Sequence, residues 1–162
     1  MTTDDIQEVL RGLRQSPRIL SALIASIPEN MLKVRRIPNK WSIHEHACHI
    51  VDVQPMLIER LRKFKQEERP VFTPYIPGKT VSDDHLLTMD LSEMLSQFDV
   101  YRKKLLDVAG TFGEDEFEKH GVHDEYTLYT PRILLRHTLM HDHLHMYRIE
   151  ELWLTKEAYL GT

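Results

Sequence analysis

The sequence predicts an all-α fold, a four-helix bundle with a long crossover connection. Apolar residues recur at helical spacing in four stretches of the chain. Glycine is scarce, six in 162 residues, and no internal repeat or low-complexity stretch breaks the pattern. Residues 66–89 carry Pro70, Pro74, Pro77 and Gly78 but few periodic apolar positions, which separates the second helix from the third. The length suits one domain over 1–162 with a single sizeable core.

The first helical stretch covers residues 4 to about 27, with Ile6, Val9, Leu10 and Leu13 and then Leu20, Leu23, Ile24 and Ile27 on its stripe. Ser16-Pro17 interrupts it, and a cap followed by proline predicts that a helix starts or restarts there. Residues 28–40 read as a loop with an extended arm. Ser42 with Glu45 three residues on is a capping-box pattern that opens the second helix, which runs to about residue 65 with Pro55 as a kink or packing defect. The third helix runs from about residue 90 to 108, started by Asp90 and stopped near Gly110. A second loop covers 111–129, with a short turn at 114–118. Thr130-Pro131 caps the last helix, which runs to about residue 157. Its apolar positions spread over a broad face, as a well-buried helix requires.

Composition excludes several classes. The formal net charge is −4 and no basic tract with interleaved aromatics occurs, so nucleic acid is not an expected partner. No apolar run reaches the roughly 18–20 residues of a membrane-spanning helix, so no membrane is expected. The first residues, Met1-Thr2-Thr3-Asp4-Asp5, lack the basic start and apolar stretch of a secretory signal. Cys48 is the single cysteine, which rules out an internal disulfide and makes a cytoplasmic location the expectation.

Histidine is the unusual residue. There are ten; His44, His46 and His49 lie together, as do His137, His141, His143 and His145. His141 and His145 stand four apart, on one face of a helix, and His137 extends that face by a turn. Two imidazoles so placed can converge at about 2.0–2.1 Å on one ion, and a third ligand must come from another element. His49, about two turns into the second helix in a mostly apolar frame, is the best candidate, and His46 on the same face competes with it. A lone helical histidine is most simply a surface or core residue. His44, His120 and His143 are read that way, with His44 expected to be exposed in the first turn. Cys48 is most simply a small buried residue, and Met89, Met94, Met140 and Met146 core filler.

The segment Trp41-Ser42-Ile43-His44-Glu45-His46-Ala47-Cys48-His49-Ile50-Val51-Asp52 resembles the W-S-x-x-E-x-x-x-H-[LI]-x-D signature of the DinB/YfiT-like family. His141-Asp142-His143-Leu144-His145 is similar to that family's C-terminal H-x-x-x-H element, in the right order and separation. The resemblance covers residues 16 to about 154. It implies a four-helix bundle with one divalent metal ion, zinc or nickel, on His49, His141 and His145, and a homodimer. Some branches of that family are thiol transferases that use low-molecular-weight thiols, one branch isomerises maleylpyruvate and many members have no assigned activity. The expectation for this chain is a metal-dependent thiol (S-)transferase acting on small electrophiles, with such a thiol as co-substrate. The alternative is a non-enzymatic module that binds a metal or small molecule. The sequence departs from the pattern at Cys48, where glycine or alanine is frequent, and at Met146-Tyr147-Arg148, where many members carry an Arg-Gly-Gln-like run.

Three neutral imidazoles leave an ion with open positions, so the expected reacting species is a metal-bound water or thiol. Asp142 or Asp52 is expected to orient a ligand histidine, and His46, His137 and His85, the last within the crossover, are further pocket candidates. A zincin-like reading is disfavoured because Asp142 stands where H-E-x-x-H carries its glutamate. A di-iron bundle needs Glu-x-x-His pairs that the last helix lacks.

Overall fold

The computed structural model describes residues 3–76 and 84–161. Helix α1 (Thr3–Ala25) is followed by a single turn, α2 (Glu29–Leu32), then by α3 (Ile43–Asp52) and α4 (Gln54–Gln66). After the crossover come α5 (Leu91–Ala109) and α6 (Pro131–Leu154). The expected second helix is therefore two helices. They part at Val53, and Pro55 sits in the first turn of α4, where its missing N–H costs nothing. Of the crossover at 66–89, Pro77 and Gly78 lie outside the described residues.

The caps form as the sequence predicts. The Glu45 amide donates to Ser42 Oγ at 3.2 Å and the Ser42 amide donates to Glu45 Oε2 at 2.8 Å, closing the capping box of α3. Asp90 accepts from the Glu93 amide at 2.8 Å and opens α5, and Thr130 accepts from the Ile133 amide at 3.2 Å and opens α6. Helix α6 ends at Leu154, short of the expected 157, where a separate 3-10 turn, Glu157–Tyr159, follows.

One expectation fails in α1. The helix neither starts nor restarts at Ser16-Pro17; it runs through Pro17 without a break. Proline cannot donate to the carbonyl four residues back, so the Leu13 carbonyl loses its helical partner. Arg102 of α5 replaces it, donating from Nη1 to the Leu13 oxygen at 2.8 Å.

Helices α5 and α6 each pack between α1 and the α3–α4 pair, which places α1 and α3–α4 at opposite corners of the bundle. Gly12 of α1 permits the approach to α6: a Cβ there would stand 2.9 Å from a Leu139 methyl. The core has two apolar clusters. One gathers Leu13, Leu57, Leu61, Leu105 and Leu135; the other gathers Leu20, Ile43, Ile50, Phe98 and Ile149. Near the boundary between them four helices each carry a buried polar residue: Ser16 on α1, Gln54 on α4, Arg102 on α5 and Asp142 on α6. Arg102 joins them. It donates to Asp142 Oδ2 at 2.8 Å and to Gln54 Oε1 at 3.3 Å, and its guanidinium lies 4.7 Å from the centre of the Phe98 ring. A buried arginine is tolerated only because its charge is paired and most of its donors are met.

A short parallel pairing, missed in the sequence, ties the two long connections together. Strand β1 (Val71–Phe72) pairs with β2 (Val122–His123), Val71 opposite Val122. Two residues are too few to show a period of two, so no sequence pattern announces them. Gly121 closes this corner because a Cβ would come within 2.8 Å of Phe72 and 2.9 Å of Phe64. Among the described residues no helix is long and apolar enough to cross a membrane.

Candidate metal centre

The capping box fixes where α3 begins, and therefore where His49 points. Glu45 is tied down a second time by Arg35, whose Nε donates to Glu45 Oε2 at 2.9 Å. One turn beyond Glu45, His49 meets His141 and His145 of α6. Their candidate ligand nitrogens all lie within 4.8 Å of one another, and no carboxylate or cysteine joins the group among the described residues. Ring centres are 5.0 Å apart for His49 and His141, 4.8 Å for His49 and His145, and 4.4 Å for His141 and His145. The expected three residues are thus together, well inside the roughly 8 Å beyond which shared coordination fails.

The environment keeps the rings neutral. Burial first, and then the neighbouring histidines, push His49 down to about 3 and His145 to about 2. Burial also pushes His141 below its ordinary value. Neutral imidazoles present lone pairs, the form a cation needs. His49 Nε2 stands 3.1 Å from His141 Nε2, so these two nitrogens already converge. The buried Nδ1 of His141 has no hydrogen-bond partner. A divalent ion fits this donor set.

His46 is not one of the three. Its Nδ1 lies 2.8 Å from His145 Nδ1, so it backs His145. Burial lowers His46 to about 4, and a neutral ring there can accept a hydrogen bond as well as give one. Trp41, quoted in the sequence motif but given no role there, packs against the cluster, its ring centre 4.8 Å from that of His49 and 6.0 Å from that of His145. Tyr75 stacks on His49 from the crossover side at 6.3 Å. Nothing in the local sequence singles out Tyr75, since its contact depends on where the crossover returns.

The other candidates fall as follows. Asp142 is fully buried, with Oδ2 on Arg102 and Oδ1 without a partner. Asp52 is half-buried one turn beyond His49, close enough to Tyr75 to add to the upward push that burial gives its phenol. His137 is half-buried a turn before His141, its ring 5.1 Å from that of Tyr126. His85 opens the 3-10 turn His85–Thr88 and is not part of the cluster. His44, expected to be exposed, is buried, because that turn packs on α3 and sets the backbone of Leu86 and Met89 beside it. His120 and His143 are exposed, and Cys48 is fully buried. Met140 is not core filler; it is 60% exposed on α6.

Two cavities flank the cluster. One of about 180 Å³ runs from His141 and Tyr75 to Arg60. The other, of about 520 Å³, lies between Trp41, His46, Arg148 and Glu151.

The fold has a counterpart of known structure. YfiT from Bacillus subtilis, described as a probable metal-dependent hydrolase with an unusual four-helix bundle topology, is similar to 94% of this chain over 87% of its own, with a TM-score of 0.83 and 19% identity. At that identity the likeness shows the fold. No curated protein matches the chain. The profile of the DinB superfamily matches residues 12–149, a span that takes in the Trp41–Asp52 motif and all three clustered histidines. The chain belongs to the DinB superfamily.

Proposed function

We propose that the chain is a metal-dependent enzyme that activates a low-molecular-weight thiol for attack on a small electrophile, with zinc or nickel on His49, His141 and His145. The carrying observation is a trio of neutral imidazoles from two helices that no carboxylate or cysteine of the described residues completes. Three protein ligands with further positions left open is the catalytic pattern, whereas structural sites are closed by a fourth. A divalent ion there supplies Lewis acidity, which lowers the pKa of a thiol or water and stabilises the anion. Imidazole suits both zinc and nickel.

The chain's own residues do the rest. His46 hydrogen-bonds His145 Nδ1 and so leaves Nε2 of His145 for the ion. Trp41 shields the cluster on one side and Tyr75 on another. The nucleophile must come from outside, because Cys48 is fully buried and burial pushes its thiol up to about 12. The incoming thiol loses its proton to solvent, its sulfur forms the new bond, and the leaving group departs with its electron pair.

Hydrolysis is the second reading, with water as nucleophile at the same residues. The likeness to a protein described as a probable metal-dependent hydrolase favours it. Elemental analysis of untagged protein comes first. A chromogenic electrophile is then offered with several thiols, without thiol, and with chelator. Chelator-sensitive, thiol-dependent turnover supports the transferase, and chelator-sensitive turnover without thiol supports the hydrolase. No turnover across a broad panel leaves a non-enzymatic binding module. A homodimer is also proposed, on the stripe of Met140, Leu144, Tyr147 and Leu154, all more than half exposed on α6.

A further inference from the structure

The cavity of about 180 Å³ beside His141 has a composition that selects its occupant. An apolar cavity of about 150 Å³ holds one benzene ring, so this space admits a single ring and little more. Val53, Leu57 and Leu134 give it apolar lining. Tyr126 and Tyr129 lie nearly parallel at 7°, with ring centres 5.7 Å apart, and offer aromatic surface. His141 stands on the wall toward the metal centre, as does Tyr75, which stacks on His49.

Arg60 supplies the charge. It donates to Tyr129 Oη at 3.1 Å and to the Thr73 carbonyl at 2.6 Å, two neutral acceptors that fix the guanidinium. No carboxylate pairs with it among the described residues. Two of its five N–H donors are thus occupied, and the rest can take a planar anion in the two-pronged manner a guanidinium favours. The one carboxylate on the lining, Glu125, is exposed.

We infer that this cavity is the acceptor subsite, and that it takes a small carboxylate bearing one planar ring. The ring lies against the tyrosine wall, the carboxylate sits on Arg60, and the opposite end of the molecule faces His141. As an acceptor subsite it rests on the metal-centre reading above; as a binding site it does not.

The test is calorimetric titration of benzoate, benzamide and cyclohexanecarboxylate into the full chain, both zinc-loaded and chelator-treated. Benzoate is expected to bind at least about 10-fold tighter than either of the others, in both forms, because the subsite's own contacts hold it. Arg60→Met is expected to bring benzoate to the level of benzamide while zinc stoichiometry stays unchanged. Arg60→Lys, which keeps the charge without the fork, is expected to fall between and guards against misfolding of the first variant. Benzoate binding that Arg60→Met leaves intact, or that vanishes on chelation, overturns the subsite and leaves the metal centre standing. Arg60-dependent binding in a protein that takes up no zinc does the reverse: it supports the binding site and removes the centre together with its acceptor role.

Discussion

His46 Nδ1 lies 2.8 Å from His145 Nδ1, a contact between α3 and α6 that joins residues 99 apart in the chain. Only one of the two nitrogens can carry the shared proton. When His145 Nε2 faces an ion, its Nδ1 holds that proton and His46 accepts it. Partners of this kind fix the tautomer and ring orientation of a ligand, and their loss typically lowers metal affinity about 10–100-fold. His46→Ala is therefore expected to keep one ion per chain at reduced affinity in chelator competition. His49→Ala is expected to abolish stoichiometric binding. The reverse ranking would make His46 the third ligand.

The metal-free protein is expected to lose stability on mild acidification. Burial holds His46, His49 and His145 at about 4, 3 and 2, against an ordinary 6.5. Below about pH 6.5 the unfolded chain takes up protons that the folded chain refuses, so stability declines from there down to the folded-state values. The urea midpoint of chelator-treated protein should fall between about pH 7.5 and about pH 5. A midpoint that holds or rises over that interval contradicts three neutral, buried rings.

Arg102 and Asp142 are both buried and bonded at 2.8 Å. Removing one member of such a pair leaves an unpaired charge in the core and costs about 3–5 kcal/mol. Arg102→Met should show that loss in urea denaturation, and Arg102→Met with Asp142→Leu should recover much of it. If the double variant is no better than the single, the loss comes from packing against Phe98 and the Leu13 carbonyl instead.

Gly121→Ala is expected to destabilise by about 1–3 kcal/mol, the usual cost of overpacking. The new methyl would press on the Phe64 and Phe72 rings at under 3 Å, with the helix behind one and the strand behind the other. Thermal unfolding checks this, and an unchanged melting temperature would mean that the corner can open.

Leu144→Glu tests the homodimer. The residue is 51% exposed on the outer face of α6, so the change leaves the fold of one chain unharmed. A shift from dimer to monomer in light scattering is expected, with metal content unaltered. Equal masses for both proteins would remove the α6 stripe from any dimer contact.

Much of the local chemistry of the chain is legible in its residue spacing. Helix starts at Ser42, Asp90 and Thr130 follow from side chains that bond amides three residues away, and the i, i+4 pair of His141 and His145 follows from helical pitch alone. His49 stands out by its place two turns into the second helix, and the motif resemblance selects it over His46. Interactions of that range are written in adjacent residues, so sequence spacing determines them. Distant contacts decided the remainder. Pro17 looked like a break because its local effect is to orphan the Leu13 carbonyl; the helix continues because Arg102, 89 residues away, takes that oxygen. His44 looked exposed until the turn at His85–Thr88 covered it. Trp41 and Tyr75 reach the histidine cluster, and Arg60 and His141 share one cavity, only because segments distant in the chain pack together. Burial and pairing of these groups are properties of the packed bundle, which no local spacing encodes.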